Sequence, residues 1–188
     1  MLDKISPYKY YFIQKASPTS NGDAFDFSYI YKFYTDRTDK YQRLKYIIRI
    51  EAHDSVYALK FYAARDRKLD KKYNRILKAH DYTTSMRIFV TCAYLVPEIL
   101  RKHPNASFAI NGARSIDIYS NKIEKKGNNQ RFRIYKNLSS LMFSKDKFEH
   151  FEFEEISSYL LVNRKCGDVI KEKNKIKEMF LDRYEFDL

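Results

Sequence analysis

"RLKYIIRIEAHDSVYALKFYAAR" (residues 43–65) decides the fold of this chain. Residues 43–52 and 55–65 each alternate with period two and are rich in aromatic and aliphatic side chains, the pattern of a strand with one buried face. His53 and Asp54 are all that separates them, short enough for a hairpin turn. The reading extends toward the N-terminus. "FDFSYIYKF" (25–33) sets Phe25, Phe27, Tyr29, Tyr31 and Phe33 on one face and Asp26, Ser28, Ile30 and Lys32 on the other. "YKYYFIQK" (8–15) has the same character. Four consecutive strands in an antiparallel meander follow from these patterns.

Beyond residue 65 the period changes. "DRKLDKKYNRILKAHDY" (66–82) is basic, with apolar residues at near-helical spacing. Asp81 to Ser85 then offers several helix caps. From there Ile88, Cys92, Leu95 and Ile99 form one stripe, beside Phe89, Ala93, Val96 and Leu100, which predicts a long helix over about 84–102. Pro97, lacking an N–H, kinks it or begins a second helical piece. A short buried strand is expected in "SFAINGARS" (107–115) and a mobile basic loop over 118–130. The spacing of Ile134, Leu138, Leu141 and Met142 makes "RFRIYKNLSSLMFS" a helix; "YLLVN" (159–163) closes the segment 148–165 as a strand. "DVIKEKNKIKEMFLDRYEF" (168–186) is an amphipathic helix using Ile170, Ile176, Met179 and Phe180. The expected fold class is α+β: an N-terminal antiparallel four-strand meander, a long helix, then strand–helix–strand and a C-terminal amphipathic helix. Residues 1–166 form a single domain and 167–188 a helical tail.

The helix at 84–102 ("SMRIFVTCAYLVPEIL"), with "HPNASFAINGARS", "RFRIYKNL" (131–138) and "YLLVNRK" (159–165), resembles a family of small Bacteroidota proteins catalogued as a domain of unknown function. That family has several strands, a similar helix, a strand ending in a glycine turn, an Arg-x-Arg-aliphatic-Tyr helix and a closing Tyr-x-x-x-Val-x-Arg-Lys. The resemblance covers about residues 70–165. It implies an α+β fold, singles out Arg131, Arg133 and Tyr135, and suggests a small bacterial defence or toxin–antitoxin-like setting. Two features depart from the pattern: residues 116–130 intervene between Gly112 and Arg131, and the segment after Lys165 has no counterpart.

Charge bounds the partners. The 188 residues carry a formal net charge of +12. The excess is +4 over residues 1–50, +3 over 51–100 and +7 over 101–150, turning to −2 over 151–188. Such polarity is the footprint of a polyanion binder. The cluster expected to grip phosphate is Arg114 in the glycine turn, Lys125 and Lys126 in the loop, and Arg131, Arg133, Tyr135 and Lys136 at the helix start. Guanidinium forks suit bidentate phosphate contact, and a helix N-terminus adds N–H groups. The competing reading pairs Arg131 or Arg133 with Glu152, Glu154 or Glu155. Phe25 to Phe33 is either a base-stacking platform or, more simply, the core face beneath the long helix.

Other chemistry is thinly signalled. Arg75 and His80 have the R-x4-H spacing of a group of helical ribonucleases; a strand-rich N-terminal half does not suit that fold. Glu149, His150, Glu152, Glu154 and Glu155 fit a solvated acidic face better than a cation site. No metal site and no cofactor are expected: the four histidines are scattered, and no glycine-rich phosphate loop or G-x-S-x-G occurs. Cys92 and Cys166 lack a CxxC partner, which suits a reducing compartment. No apolar run approaches membrane-spanning length and no secretory signal begins the chain, so a cytoplasmic protein with no membrane association is expected. The leading expectation is a non-enzymatic nucleic-acid binder, of DNA or RNA. The alternatives are a protein-interaction subunit, pairing with a partner or itself through 168–186, and a nuclease.

Overall fold

The hairpin turn falls at Asp54 and Ser55, one residue later than the pattern indicates, because His53 pairs directly with Val56. Asp54 takes a positive φ of 51° there, a conformation Asp tolerates better than most residues. The structure is a computed structural model that describes residues 5–19, 23–39, 42–75, 81–117, 120 and 122–183. Strands β1 (Tyr10–Ala16), β2 (Phe27–Tyr34), β3 (Lys45–His53) and β4 (Val56–Ala63) form the antiparallel meander. Alternation sends Tyr29, Tyr31 and Phe33 of β2 to the same face as Tyr46, Ile48 and Ile50 of β3, and all six are buried. The aromatic stripe of β2 is therefore core. Phe25 departs from it: it precedes the strand, and its ring lies under Arg49, on the opposite side of the sheet.

The helical segment is two helices, α1 (Tyr82–Ala93) and α2 (Leu95–Lys102), joined at Tyr94. Asp81 caps α1, accepting from the Thr84 N–H at 2.7 Å. Pro97 sits in the first turn of α2, where its missing N–H forfeits no helical hydrogen bond. Met86, Ile88, Val90 and Cys92 of α1 and Leu95, Val96 and Ile99 of α2 are buried. This helical passage carries the chain back, so that β5 (Ser107–Asn111) lies parallel to β4 from Val56↔Ser107 to Leu59↔Ile110.

A two-residue ribbon, β6 (Ile116–Asp117) with β7 (Lys122–Ile123), precedes helix α3 (Gln130–Met142). The segment 148–165 is a hairpin rather than a single closing strand. Strands β8 (Phe148–Phe153) and β9 (Ser158–Asn163) are joined through a short 3-10 turn at 154–156, and Ser157 takes a φ of 53°. The seven-stranded sheet runs β1-β2-β3-β4-β5-β9-β8. Helices α1 and α2, with Phe132 of α3, pack on one face. Helix α4 (Val169–Arg183) lies on the other, its Ile176 buried with Val56, Leu160 and Val162. The C-terminal helix thus belongs to the body of the fold, where burial of an Ile side chain is worth about 1.5–3 kcal/mol.

Candidate nucleic-acid interface

Helix α3 begins where the sequence places its arginines, and local chemistry explains why. Asn129 is the N-cap: its side chain accepts from Phe132 N–H at 2.9 Å and donates to the Gly112 carbonyl. Ser157 accepts from the Asn129 N–H at 3.1 Å. Gly112 is required for this approach, because a Cβ there would lie 2.7 Å from Asn129 Oδ1 and 2.8 Å from the Phe132 nitrogen. The end of the expected mobile loop is fastened as well: Ser157 donates to the Lys126 carbonyl at 2.7 Å, and Asn128 N–H donates to Glu154 O, also at 2.7 Å.

The arginines of this helix start are occupied by backbone rather than by glutamates. Arg131 donates to the carbonyls of Tyr73 and, at 2.9 Å, Arg75. Arg75 in turn pairs with buried Asp66 at 2.6 Å. Arg131 is thus a strut holding the 66–75 turns against α3. Arg133 donates to the Asn128 carbonyl. Lys136 is the residue that meets the acidic strand, 2.5 Å from Glu152 and 3.4 Å from Glu154. The hydrogen bond to Glu152 is the main cause of its raised pKa. Tyr135 is buried edge-to-face against Phe89, and burial pushes its phenol up. Arg114, Lys125 and Lys126 remain exposed, and their side chains have no partner among the described residues.

The other candidate chemistry disperses in the fold. Arg75 is held by Asp66, and His80 lies outside the described residues. Glu149 is paired with Arg164, Glu152 and Glu154 with Lys136, and His150 Nδ1 sits 2.7 Å from the Tyr159 hydroxyl. Among the described residues no group of three His, Cys, Asp or Glu is placed to hold a metal ion. Burial raises the pKa of the Cys92 thiol and, with help from Glu172, that of Cys166, so both are protonated at neutral pH. Among the described residues no helix is long and apolar enough to cross a membrane.

A surface that the chain pattern did not single out lies on the second face of the meander. Helix α4 packs on β4, β5, β8 and β9 and reaches β3 only at its His53 end, where the Phe180 ring lies 5.2 Å away, so the Lys45–Arg49 part of β3 and the neighbouring stretches of β1 and β2 lie outside its apolar contacts. Strand pairing sets Tyr11, Lys32, Ile47 and Tyr62 in one cross-strand row. Tyr34 and Lys45 form the row on one side of it; Gln14, Ile30, Arg49 and Lys60 form the row on the other. Three strand spacings separate Tyr11 from Tyr62, about 14 Å. Tyr11 is 43% exposed, and Tyr34 and Tyr62 are half-buried. Cations attend these rings: Lys9 at 5.5 Å from Tyr11, Arg43 at 4.6 Å from Tyr34 and Lys72 at 5.1 Å from Tyr62.

The electrostatics of this face are one-sided. The four strands of the meander contain Lys15, Lys32, Lys45, Arg49 and Lys60 but a single acid, Glu51. Lys15 lies over Phe27 on the core side; the other four cations share the open face. Arg49 and Lys60 are direct cross-strand partners, a like-charge pairing that is unfavourable unless an anion offsets it. Glu51 supplies part of that offset, 2.5 Å from Lys60 while 3% exposed. Burial of its carboxyl, the largest single effect, raises the pKa; the His53 hydrogen bond and the Lys60 charge together bring it below the ordinary value. The sequence does hold the signal for this face, in the opposite parity of cations and core aromatics along 28–34 and 45–51. No known protein family, curated protein or solved structure matches this chain.

Proposed function

We propose that this protein binds single-stranded nucleic acid across the open half of the second sheet face. The observation that carries the reading is the row Tyr11–Lys32–Ile47–Tyr62, flanked by Tyr34, Lys45 and Arg49, in a meander whose single strand acid, Glu51, is buried. Flat aromatic rings accept stacked bases of any sequence, and cations between them neutralise the phosphates that follow. Bases must be splayed to reach such rings, which favours single strands over duplex. Arg114, Lys125 and Lys126 are additional phosphate contacts in this reading, whereas Arg131, Arg133 and Lys136 act through the fold.

Fluorescence anisotropy with labelled single-stranded DNA and RNA tests the proposal. Tyr34→Ala and Tyr62→Ala are each expected to weaken binding by about tenfold, since base–aromatic stacking is worth about 1–3 kcal/mol. Lys32→Ala and Arg49→Ala are expected to flatten the dependence of log K on log salt by about 0.7 for each phosphate left without its cation. Binding left intact in all four variants, or tighter binding to duplex than to single strands, overturns the assignment. Weakening confined to charge reversals at Arg114, Lys125 and Lys126 relocates the site to the loop and overturns it as well.

A further inference from the structure

The sheet is not continuous along its whole length. Parallel pairing of β4 with β5 stops at Leu59↔Ile110. Beyond it β4 follows β3 to Ala63, while β5 ends at Asn111 beside β9. The two strands part at their carboxyl ends, the place where open sheets with parallel strands most often take ligands. A cleft of about 430 Å³ opens in this gap.

Because the cleft passes between strands, side chains from both faces line it. Leu59, Phe61 and Ile110 come from the helix-covered side; Ala109, Leu160 and Phe180 come from the side beneath α4. Ala58, Ala109 and Ala113 contribute small side chains that leave the interior open. The charged groups of the wall are all basic: Lys60, Lys126, Arg131 and Lys177, with His53, and no carboxylate among the described lining residues. Lys60 and Arg131 are engaged by Glu51 and by backbone carbonyls. Lys126 and Lys177 are exposed at the rim and have no partner among the described residues, next to exposed Ile156 and Leu181.

An apolar interior with a cationic rim selects a molecule with an apolar body and one anionic end. We propose that the cleft binds a medium-chain fatty carboxylate, its chain between the parted strands and its carboxylate at Lys126 and Lys177. A volume of about 430 Å³ lies in the lower part of the range of about 300–1,000 Å³ typical of small-ligand clefts, which suits a ligand the size of a ten-carbon acid. Pockets of this size and lining, with few converging polar groups, are typical of small-ligand sites. The proposal does not rest on the nucleic-acid reading; the two sites share only Lys60, which neighbours Tyr62 on β4, and Lys126, which that reading counts among its outlying phosphate contacts.

The chain contains no tryptophan, so Leu181→Trp places a single reporter at the rim. Titration of that variant with decanoate is expected to give a saturable change in tryptophan fluorescence, at least tenfold tighter than 1-decanol, with decyltrimethylammonium inert. Lys126→Glu combined with Lys177→Glu is expected to cost decanoate about tenfold and leave decanol unchanged; both residues are exposed, so the fold survives. Ala109→Leu, which fills the interior, is expected to abolish both ligands while retaining affinity for single-stranded DNA. Equal affinity for decanoate and decanol overturns anion recognition. Saturable binding of adenosine monophosphate in place of decanoate assigns the cleft to the nucleic-acid site and overturns the proposal, as does the absence of saturable binding by any of these probes.

Discussion

Gly112→Ala is the substitution that most sharply tests how the α3 start is built. The added Cβ would sit 2.7 Å from Asn129 Oδ1 and 2.8 Å from the Phe132 nitrogen. The second neighbour is backbone, so a rotamer change cannot relieve the overlap; the helix start must withdraw from β5. Withdrawal breaks the Asn129–Gly112 hydrogen bond, worth about 0.5–1.5 kcal/mol, and disturbs the Asn129 cap, worth about 1 kcal/mol. Strain around fully buried Phe132 adds about 1 kcal/mol or more. The expected destabilisation is about 2–4 kcal/mol in urea unfolding at unchanged m-value. Asn129→Ala removes the same hydrogen bond and cap, so the double variant should be less destabilised than the two single costs added, by about 1 kcal/mol or more. A destabilisation below about 0.5 kcal/mol for Gly112→Ala, or strict additivity with Asn129→Ala, would refute the close-approach argument.

Arg131→Ala should free the 66–75 turns from α3 at a cost of about 1.5–3 kcal/mol, seen as new proteolysis near Lys71 and Lys72 along with a lower urea midpoint; unaltered cleavage would show that the strut is dispensable. Ile176→Ala should cost about 2–4 kcal/mol within one cooperative transition, because α4 packs on the sheet; an early transition of α4 alone would make it a separate unit. Glu51 sets an acid limit. Its folded pKa is depressed, so the stability it contributes is complete above the unfolded value of about 4.3 and drains away as pH falls through the folded value. Unfolding free energies measured down through pH 4 should fall more steeply for the parent than for Glu51→Gln, and parallel curves would contradict the linkage.

Much of the architecture was legible because its signals are local. Alternation along 27–34 and 45–63 marks strands wherever they pair, and Asp81, one of the caps offered over 81–85, accepts from its own chain neighbour Thr84. Pro97 belongs in the first turn of a second helix for a reason internal to its own backbone. The hairpin within 148–165 was obscured because Glu154 continues the alternation of β8 into the 3-10 turn and the segment holds no glycine, proline or asparagine before Asn163 to mark a reversal. Phe25 carried the right parity but preceded the strand, so parity did not determine its face.

The functional surface was legible only in part. Charge excess and parity together imply a basic sheet face, yet the Arg131–Lys136 cluster is richer in cations per residue and outweighs it in the sequence. The groups that occupy this cluster lie far away in the chain: the Tyr73 carbonyl is 58 residues from Arg131, and Glu154 is 18 from Lys136. The sequence by itself determined the four meander strands, the helical segments, the α+β class and a strongly positive charge, each a product of short-range periodicity or simple counting. Only the tertiary structure decided that β5 inserts parallel to β4, that the two then part to open a cleft, and that most of the α3 cations serve the fold. Those outcomes depend on which distant backbone and carboxylate groups remain to be satisfied once the strands have paired, and that is settled by burial rather than by neighbours along the chain.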